Sequence, residues 1–290
     1  MTTAVDDHHG RGHSRSRTAT AEWPDVRPIR LSRVLRSEWI KLVTLRSTWF
    51  MVAAVTVFMI GLGILSAAVT GHGTAPGHPP RPGAPGGFSD PVGVILSGSA
   101  VALLIVGVMG VAVGAREHST GMIRITLAAV PTRLPVLWAK LLAFTAIVAP
   151  ATTVSVLITY PASTAMLLHD GVVAPPLTDG DVVRALLGTA VYLTGVAAIG
   201  LALGMLVRGL VIGIGVLLGG VLMLPPIATA LLPDSWSLVL KYLPSNAGSA
   251  FSHYTRSPEL LAPAAGALVF AVWVVLAVSS CAYTLRRRDV

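Results

Sequence analysis

The sequence predicts an all-α, polytopic membrane protein with six transmembrane helices. Two observations carry this prediction: the composition of the chain and the spacing of its apolar runs. Only 12% of the 290 residues are charged, about half the share that soluble domains carry, and 53% are apolar, with a mean hydropathy of +0.75. A soluble fold could not cover its surface with so few charges, so the bilayer is the expected solvent.

Six apolar runs follow a polar N-terminal segment, and each is long enough to cross the ~30 Å hydrocarbon core at ~1.5 Å rise per residue. Lipid offers no hydrogen-bond partners, so each run must satisfy its own backbone and is predicted to be helical. The third run contains Pro150 and Pro161, which predicts a kinked or broken helix. The predicted spans lie near Trp49–Thr70, Val92–Gly114, Leu141–Leu168, Ala185–Leu206, Leu210–Leu232 and Ala262–Tyr283.

The chain divides into two parts by composition. Residues 1–27 lack an apolar period and are predicted to form a disordered cytoplasmic tail, whereas residues 28–290 form the six-span membrane domain. The chain contains one cysteine, Cys281, so no disulfide can form within it. The histidines of the tail and of the first outer loop lie in polar or Gly-rich sequence that makes a poor cage, and no metal site is predicted there.

The distribution of Lys and Arg predicts that both termini lie in the cytoplasm. With the N-terminus inside, only four of the 21 Lys and Arg residues fall on the outer side, as the positive-inside rule requires. The net charge of +8 then comes from basic residues that flank membrane spans, as is usual, and nucleic-acid binding is not predicted. The four outer residues are Arg81, Arg184, Lys241 and Arg256.

The segment before the first span has the pattern of an amphipathic helix. Its apolar face contains two charged residues, Glu38 and Arg46, and a carboxylate at Glu38 would be costly against lipid unless it is paired. We therefore expect this face to meet protein, with Glu38 hydrogen-bonded or ion-paired there; a helix that only anchors to anionic lipid is the alternative. The predicted apolar face consists of Leu31, Leu35, Trp39, Leu42, Leu45 and Trp49.

The loop between the second and third spans, "AREHSTGMIRITLAAVPTRLPVLWAK", is unusually long and charged for this chain. Ile123, Leu127 and Val130 recur at helical spacing, so a short amphipathic helix is predicted on the cytoplasmic side. Two interpretations stay open. The loop is either a solvated connector or a docking surface for a cytoplasmic partner.

The sequence makes two further structural predictions. Between Pro233 and Leu261, apolar residues at helical spacing predict a short amphipathic helix, either at the outer surface or dipping back into the membrane, which "PSNAG" then interrupts. Glycines recur at small-xxx-small spacing, which allows close helix packing within the chain or between two copies. These pairs are Gly110/Gly114, Gly200/Gly204, Gly209/Gly213 and Gly215/Gly219.

Several functional classes lack their sequence signatures here. No lysine follows a glycine, so the chain has no P-loop, and neither H-E-x-x-H nor G-x-S-x-G occurs. The interiors of the six predicted spans contain no Asp, Glu, Lys, Arg or His, which disfavours proton-coupled carriers. A sodium site built from carbonyls and hydroxyls stays compatible with the sequence.

Three segments resemble the permease family of ABC-2 type transporters. "RSEWIKLVTLRSTW" looks like the N-terminal signature of that family, and "REHSTGMIRITLAAVPTRLPVLWAK" is similar to its first inner loop, with Met122 where the family usually has Thr. "KYLPSNAG", before the last span, is also similar, and the six-span layout covers the chain from about Ile29 onward.

The resemblance implies a function. The chain would be the membrane subunit of a bacterial ABC exporter in the inner membrane, pairing with a second permease subunit and with a separate ATPase that binds ATP and Mg²⁺. No catalytic residue or cofactor is expected in this chain, and a hydrophobic or amphipathic substrate is expected. The N-terminal helix, with Glu38, Lys41 and Arg46, would be the elbow helix. The inner loop would hold the coupling helix that docks on the ATPase, with Glu117, Gly121, Arg124 and Arg133.

Two other functions remain open from the sequence. An ion-coupled secondary transporter would work from a proton or sodium gradient without an ATPase. A non-transporting membrane anchor or sensor would use the inner loop to recruit a cytoplasmic partner but would show no substrate-dependent ATP hydrolysis.

Overall fold

The computed structural model describes residues 31–72, 90–119, 134–169, 171–207 and 209–287. These residues form helices joined by turns, with no strand among them, which confirms the all-α class. Within the same ranges, five helical segments are long and apolar enough to cross a membrane. The protein is therefore a multi-pass membrane protein, as its composition predicts.

The helical segments are as follows in chain order: α1 (Leu31–Thr44), α2 (Arg46–His72), α3 (Pro91–Ile95) with a 3₁₀ turn (Leu96–Gly98), α4 (Ser99–Ser119), α5 (Leu134–His169), α6 (Gly180–Val207), α7 (Leu210–Gly215), a π-helical stretch (Val216–Met223), α8 (Leu224–Leu231), a 3₁₀ turn (Asp234–Trp236), α9 (Ser237–Leu240), α10 (Pro244–Ser252) and α11 (Pro263–Arg287). The five candidate spans are α2, α3 with α4, α5, α6 and α11.

The third predicted span is longer and more regular than expected. The corresponding helix, α5, begins at Leu134 rather than near Leu141 and continues to His169 through both Pro150 and Pro161. Of the two predicted alternatives, the broken helix is therefore wrong, and the kink stays a prediction. Each proline removes only one backbone donor, and packing of α5 against α2 and α6 keeps the chain helical through both positions.

The fifth predicted span, Leu210–Leu232, is helical from Leu210 to Leu231 but is divided into α7, the π-helical stretch and α8. The division falls just before Pro225 and Pro226, which cannot donate to carbonyls one turn earlier. A wider π turn is one way for the backbone to accommodate such missing donors. No single α-helix of spanning length occurs in this part of the chain.

Helix α6 lies at the centre of the bundle, and glycines bring α4 against it. Cβ atoms at Gly110 or Gly114 would overlap backbone atoms of α6, and Cβ atoms at Gly200 or Gly204 would overlap backbone atoms of α4. These two pairs of predicted close-packing glycines therefore pack against each other inside the chain. At Gly219, by contrast, a Cβ would meet no atom of the described residues within 4 Å.

Helix α10 packs between α6 and α11. Gly248 lies against the ring of Tyr192, Phe251 lies over Gly188, and Gly266 of α11 lies against the α10 backbone. The "PSNAG" sequence therefore begins a helix rather than only ending one, because Pro244 suits a first turn and the small residues that follow allow close contact. In the preceding segment, Pro233–Leu243, the helical parts are the 3₁₀ turn and α9, which is a single turn.

Helix α10 contacts the N-terminal half of α6, at Gly188 and Tyr192, and the start of α11, at Gly266. Farther along both helices, Gly195 of α6 lies against Phe270 of α11, so the two helices run in the same direction. The chain must therefore return along the bundle between the end of α6 and the start of α11. The segment from α7 to α8 is the longest helical part of this connection.

Candidate functional site

The candidate site is an ion cluster formed by Glu38, Lys41 and Lys140 where α1 packs on α5. Helix α1 presents Val34, Glu38 and Leu42 to the protein, at a spacing of four residues, so all three lie on one face. Glu38 is only 2% exposed. The predicted burial of this carboxylate against protein is confirmed.

Two ammonium groups approach the Glu38 carboxylate, one at each oxygen. Lys140 Nζ lies 2.9 Å from Oε2, and Lys41 Nζ lies 2.6 Å from Oε1. Lys140 is almost completely buried, whereas the Lys41 side chain is 42% exposed. The two pairs therefore differ in kind: Lys140 is the buried partner, and Lys41 reaches Glu38 from the solvent-accessible rim.

Apolar packing isolates the Glu38–Lys140 pair from water. Val34 packs with Val136 and Ala139, about one helical turn or less from Lys140, and Leu42 enters the main core. In such surroundings a single charge would be strongly destabilising, and the opposite charge together with short hydrogen bonds compensates for it. The pair thus fixes the position of α1 on the first turns of α5.

The apolar face predicted for the N-terminal helix differs from the observed one. Leu31, Trp39 and Trp49 are exposed, and Val34 replaces them on the buried face. Trp49 follows a break at Leu45, which ends α1 at Thr44 and starts α2 at Arg46, so it does not share the helical wheel of α1. Within α1 the buried face is centred on Glu38, with Val34 and Leu42 one turn to either side, and Trp39 points about 100° away from it. Arg46 is exposed at the start of α2 and does not take part in the ion cluster.

The residues predicted for the inner loop fall mostly outside the described ranges. Glu117 belongs to α4, with its side chain outside the described part of the structure, and Gly121, Arg124 and Arg133 lie outside the described residues. What the structure does describe is where the two ends of this loop attach. At the first end, Arg116 donates to Ser47 Oγ of α2 at 3.1 Å.

At the second end, the loop leads into α5, whose Lys140 pairs with Glu38 of α1. Both ends of the loop are therefore held by polar contacts to the N-terminal region, one at Ser47 and one at Glu38. Sequence reasoning missed Lys140 as the partner of Glu38. The sequence did contain a sign of this pairing, because the two residues have opposite charge and each precedes an apolar run.

A second polar network lies at the N-terminal end of α6. Arg184 donates to the carbonyl oxygens of Phe251, His253 and Tyr254 and so caps the C-terminal end of α10. Loss of hydration and then the hydrogen bond to Asp179 raise the pKa of Tyr254, so its hydroxyl stays protonated and donates to Asp179 Oδ2 at 3.2 Å. This network holds α10 in place.

Within the described ranges, no group of three or more His, Cys, Asp or Glu side chains is placed to hold a metal ion. The sequence matches no protein-family model and no curated protein.

Proposed function

We propose that the protein is the membrane subunit of an ATP-driven exporter of the ABC-2 type, working with a second permease subunit and a separate cytoplasmic ATPase. Three features support the proposal. The chain is a multi-pass helical membrane protein, it carries the three sequence segments quoted above, and a buried ion pair joins its N-terminal helix to the helix that follows the long charged loop.

The topology of the proposed permease has six spans, with both termini and the 120–133 loop in the cytoplasm. The parallel course of α6 and α11 supports the sixth span, because the Leu210–Leu231 segment then crosses the membrane between them. At ~1.5 Å per residue, its 22 residues reach ~33 Å, about the thickness of the hydrocarbon core.

The single observation that carries the coupling role is the Glu38–Lys140 pair. A force on the loop reaches α5 at its first residue, and Lys140 lies in the second turn of that helix. Because Lys140 is bonded to a buried carboxylate of α1, the two helices must move together or break the pair. An ATPase that pushes on the loop would thus displace α1 and α5 as one unit.

The substrate class follows from the lining that the described spans offer. Apart from Lys140, which is paired with Glu38, their buried polar side chains are hydroxyls, such as Thr152, Ser155 and Thr159, whose Oγ atoms are bonded to carbonyls of α5 itself. Such an interior suits a hydrophobic or amphipathic substrate better than a sugar phosphate or an ion, which would need charged partners.

The proposal is tested by purifying the tagged protein from native membranes in mild detergent, with identification and ATPase assay of what accompanies it. We expect a stoichiometric P-loop ATPase that is lost when Glu117→Lys and Arg133→Glu are introduced in the loop. The matched control is Arg256→Glu, a charge reversal at the other end of the bundle, which should retain the ATPase.

Other outcomes would replace the proposal. A chain that purifies alone and transports under an ion gradient would be a secondary transporter. A chain that retains a partner but shows no substrate-dependent ATP hydrolysis in vesicles would be an anchor or sensor.

A further inference from the structure

A groove of about 510 Å³ runs along the side of the bundle between α5, α6 and α11. Helix α6 forms its floor, with Ala190 and Ala198 among the lining residues, while α5 and α11 form its walls. The two walls both pack on α6 and touch each other little, so the groove stays open along one side. Its rim carries large exposed aliphatic side chains, including Leu142, Val191 and Val275.

The groove has the length of one lipid chain. On α5 its lining extends from Leu141 to Thr153, which corresponds to ~18 Å at the rise of an α-helix. The hydrocarbon core of a bilayer is ~30 Å thick, so one leaflet contributes ~15 Å. The groove also follows the helix axes, as an extended chain in a bilayer does.

The threonine hydroxyls of the lining have no donor left for an occupant. The lining includes three threonines, and each hydroxyl donates to a carbonyl of its own helix: Thr145 to Leu141, Thr153 to Ala149 and Thr194 to Ala190, at 2.7–2.8 Å. The remaining lining is apolar. An occupant therefore gains from apolar contact alone, which selects a hydrocarbon rather than a polar headgroup.

The two ends of the groove differ. Trp138 lies about one turn before Leu141 and is 47% exposed, at a position where tryptophan rings mark a membrane interface. At the other end, near Leu187, Phe251 lines the groove beside Gly188, and Phe270 lies farther in, against Gly195. A chain would thus enter from the Trp138 side and end near Phe251.

We propose that this groove binds one acyl chain of a membrane phospholipid, with the glycerol end near Trp138 and the terminal methyl near Phe251. This site is independent of the proposed transport function.

The test uses the full-length protein in phospholipid nanodiscs that contain a lipid with a photoreactive diazirine at one of two chain positions. A diazirine at the chain terminus should label residues near Leu187 and Phe251, and one next to the ester should label residues near Leu141. Ala149→Phe and Ala271→Phe fill the groove from its two walls. Each should lower the labelling about tenfold, the loss expected when about two buried methylenes are displaced.

The matched control is Ala146→Phe, which adds the same side chain to the same helix at an exposed position outside the groove. It should leave the labelling unchanged. Labelling that is spread evenly over all lipid-facing residues, or that survives both filling substitutions in folded protein, would overturn the proposal. So would disulfide-linked dimers from Thr153→Cys in a Cys281→Ala background, because a second copy would then occupy the groove.

Discussion

At Glu38 a carboxylate is held in an almost water-free position by two ammonium groups of unequal exposure. Replacing both members of a buried ion pair by apolar groups is often neutral or stabilising, whereas removing one leaves an uncompensated charge. Retention of such a pair is therefore poor evidence for stability and better evidence for a specific geometry, here the registry of α1 on α5.

The first prediction separates the contribution of the ion pair to stability from its contribution to the registry of α1 on α5. Lys140→Met should destabilise the protein by about 3–5 kcal/mol, because it removes the buried partner of Glu38 Oε2 and leaves only Lys41, at the exposed rim, on the other oxygen. The double variant Glu38→Leu with Lys140→Met should regain most of this loss. Lys41→Met, the control at the exposed partner, should cost about 0–1 kcal/mol. Thermal unfolding midpoints of the purified variants in one detergent provide the comparison.

If the double variant is as unstable as Lys140→Met alone, the ion pair itself stabilises the fold, beyond each charge compensating for the burial of the other. If the double variant is stable, reconstitution with the proposed ATPase gives a second readout. For a pair that transmits motion, ATP hydrolysis should then no longer respond to substrate, although the protein remains folded.

At the level of helices, the contact between α4 and α6 depends on backbones that approach without side chains between them. The second prediction is that Gly110→Ala costs about 1–3 kcal/mol, since the added Cβ would overlap the carbonyl oxygen of Ala197. Gly219→Ala should instead be neutral or stabilise by up to about 1 kcal/mol, because its Cβ meets open space and alanine favours the helix. Equal effects in thermal unfolding would contradict this packing.

The sequence could predict such glycine pairs but not which surface they face. Gly110/Gly114 and Gly215/Gly219 have the same spacing, and only the three-dimensional packing distinguishes the buried pair from the open one. The same limit applies to α1. Its apolar residues are numerous on several sides, and packing against Val136 and Ala139 of α5 buries Val34 rather than Trp39.

For Glu38 the sequence carried more information. A lone acidic residue among apolar neighbours predicts a partner because the cost of an unpaired buried charge is large. Its partner, Lys140, lies far along the chain and becomes adjacent only when α5 extends to Leu134. Helix α5 starts earlier than hydropathy indicates because packing sets its start, and the hydropathy of a sequence window does not contain information on packing.

On the scale of the whole molecule, apolar composition predicted the helices and their order but not their continuity. Pro150 and Pro161 leave α5 intact, whereas Pro225 and Pro226 coincide with the division of the Leu210–Leu231 segment. The difference lies in packing: α5 is held between α2 and α6, while the divided segment is largely exposed. Proline therefore interrupts a helix here only where neighbouring helices do not support it.

The third prediction concerns the course of the chain through the membrane. A Cys281→Ala background has no cysteine, so single cysteines can report sidedness at Arg33, Arg256 and Arg286, which are all exposed. If the Leu210–Leu231 segment crosses the bilayer, Arg33→Cys and Arg286→Cys lie on the same side and Arg256→Cys lies on the other. With the positive-inside orientation, a membrane-impermeant maleimide added to intact cells should label only Arg256→Cys.

Permeabilised cells provide the control, since all three cysteines should then react. Labelling of Arg33→Cys and Arg286→Cys in intact cells, without Arg256→Cys, would reverse the orientation and place the charged loop outside, where no cytoplasmic ATPase could reach it. Labelling of Arg286→Cys alone would mean that the divided segment does not cross, because Arg256 would then lie inside and α11 would carry Arg286 out. The parallel course of α6 and α11 argues against this last result, because two parallel spans need a crossing between them.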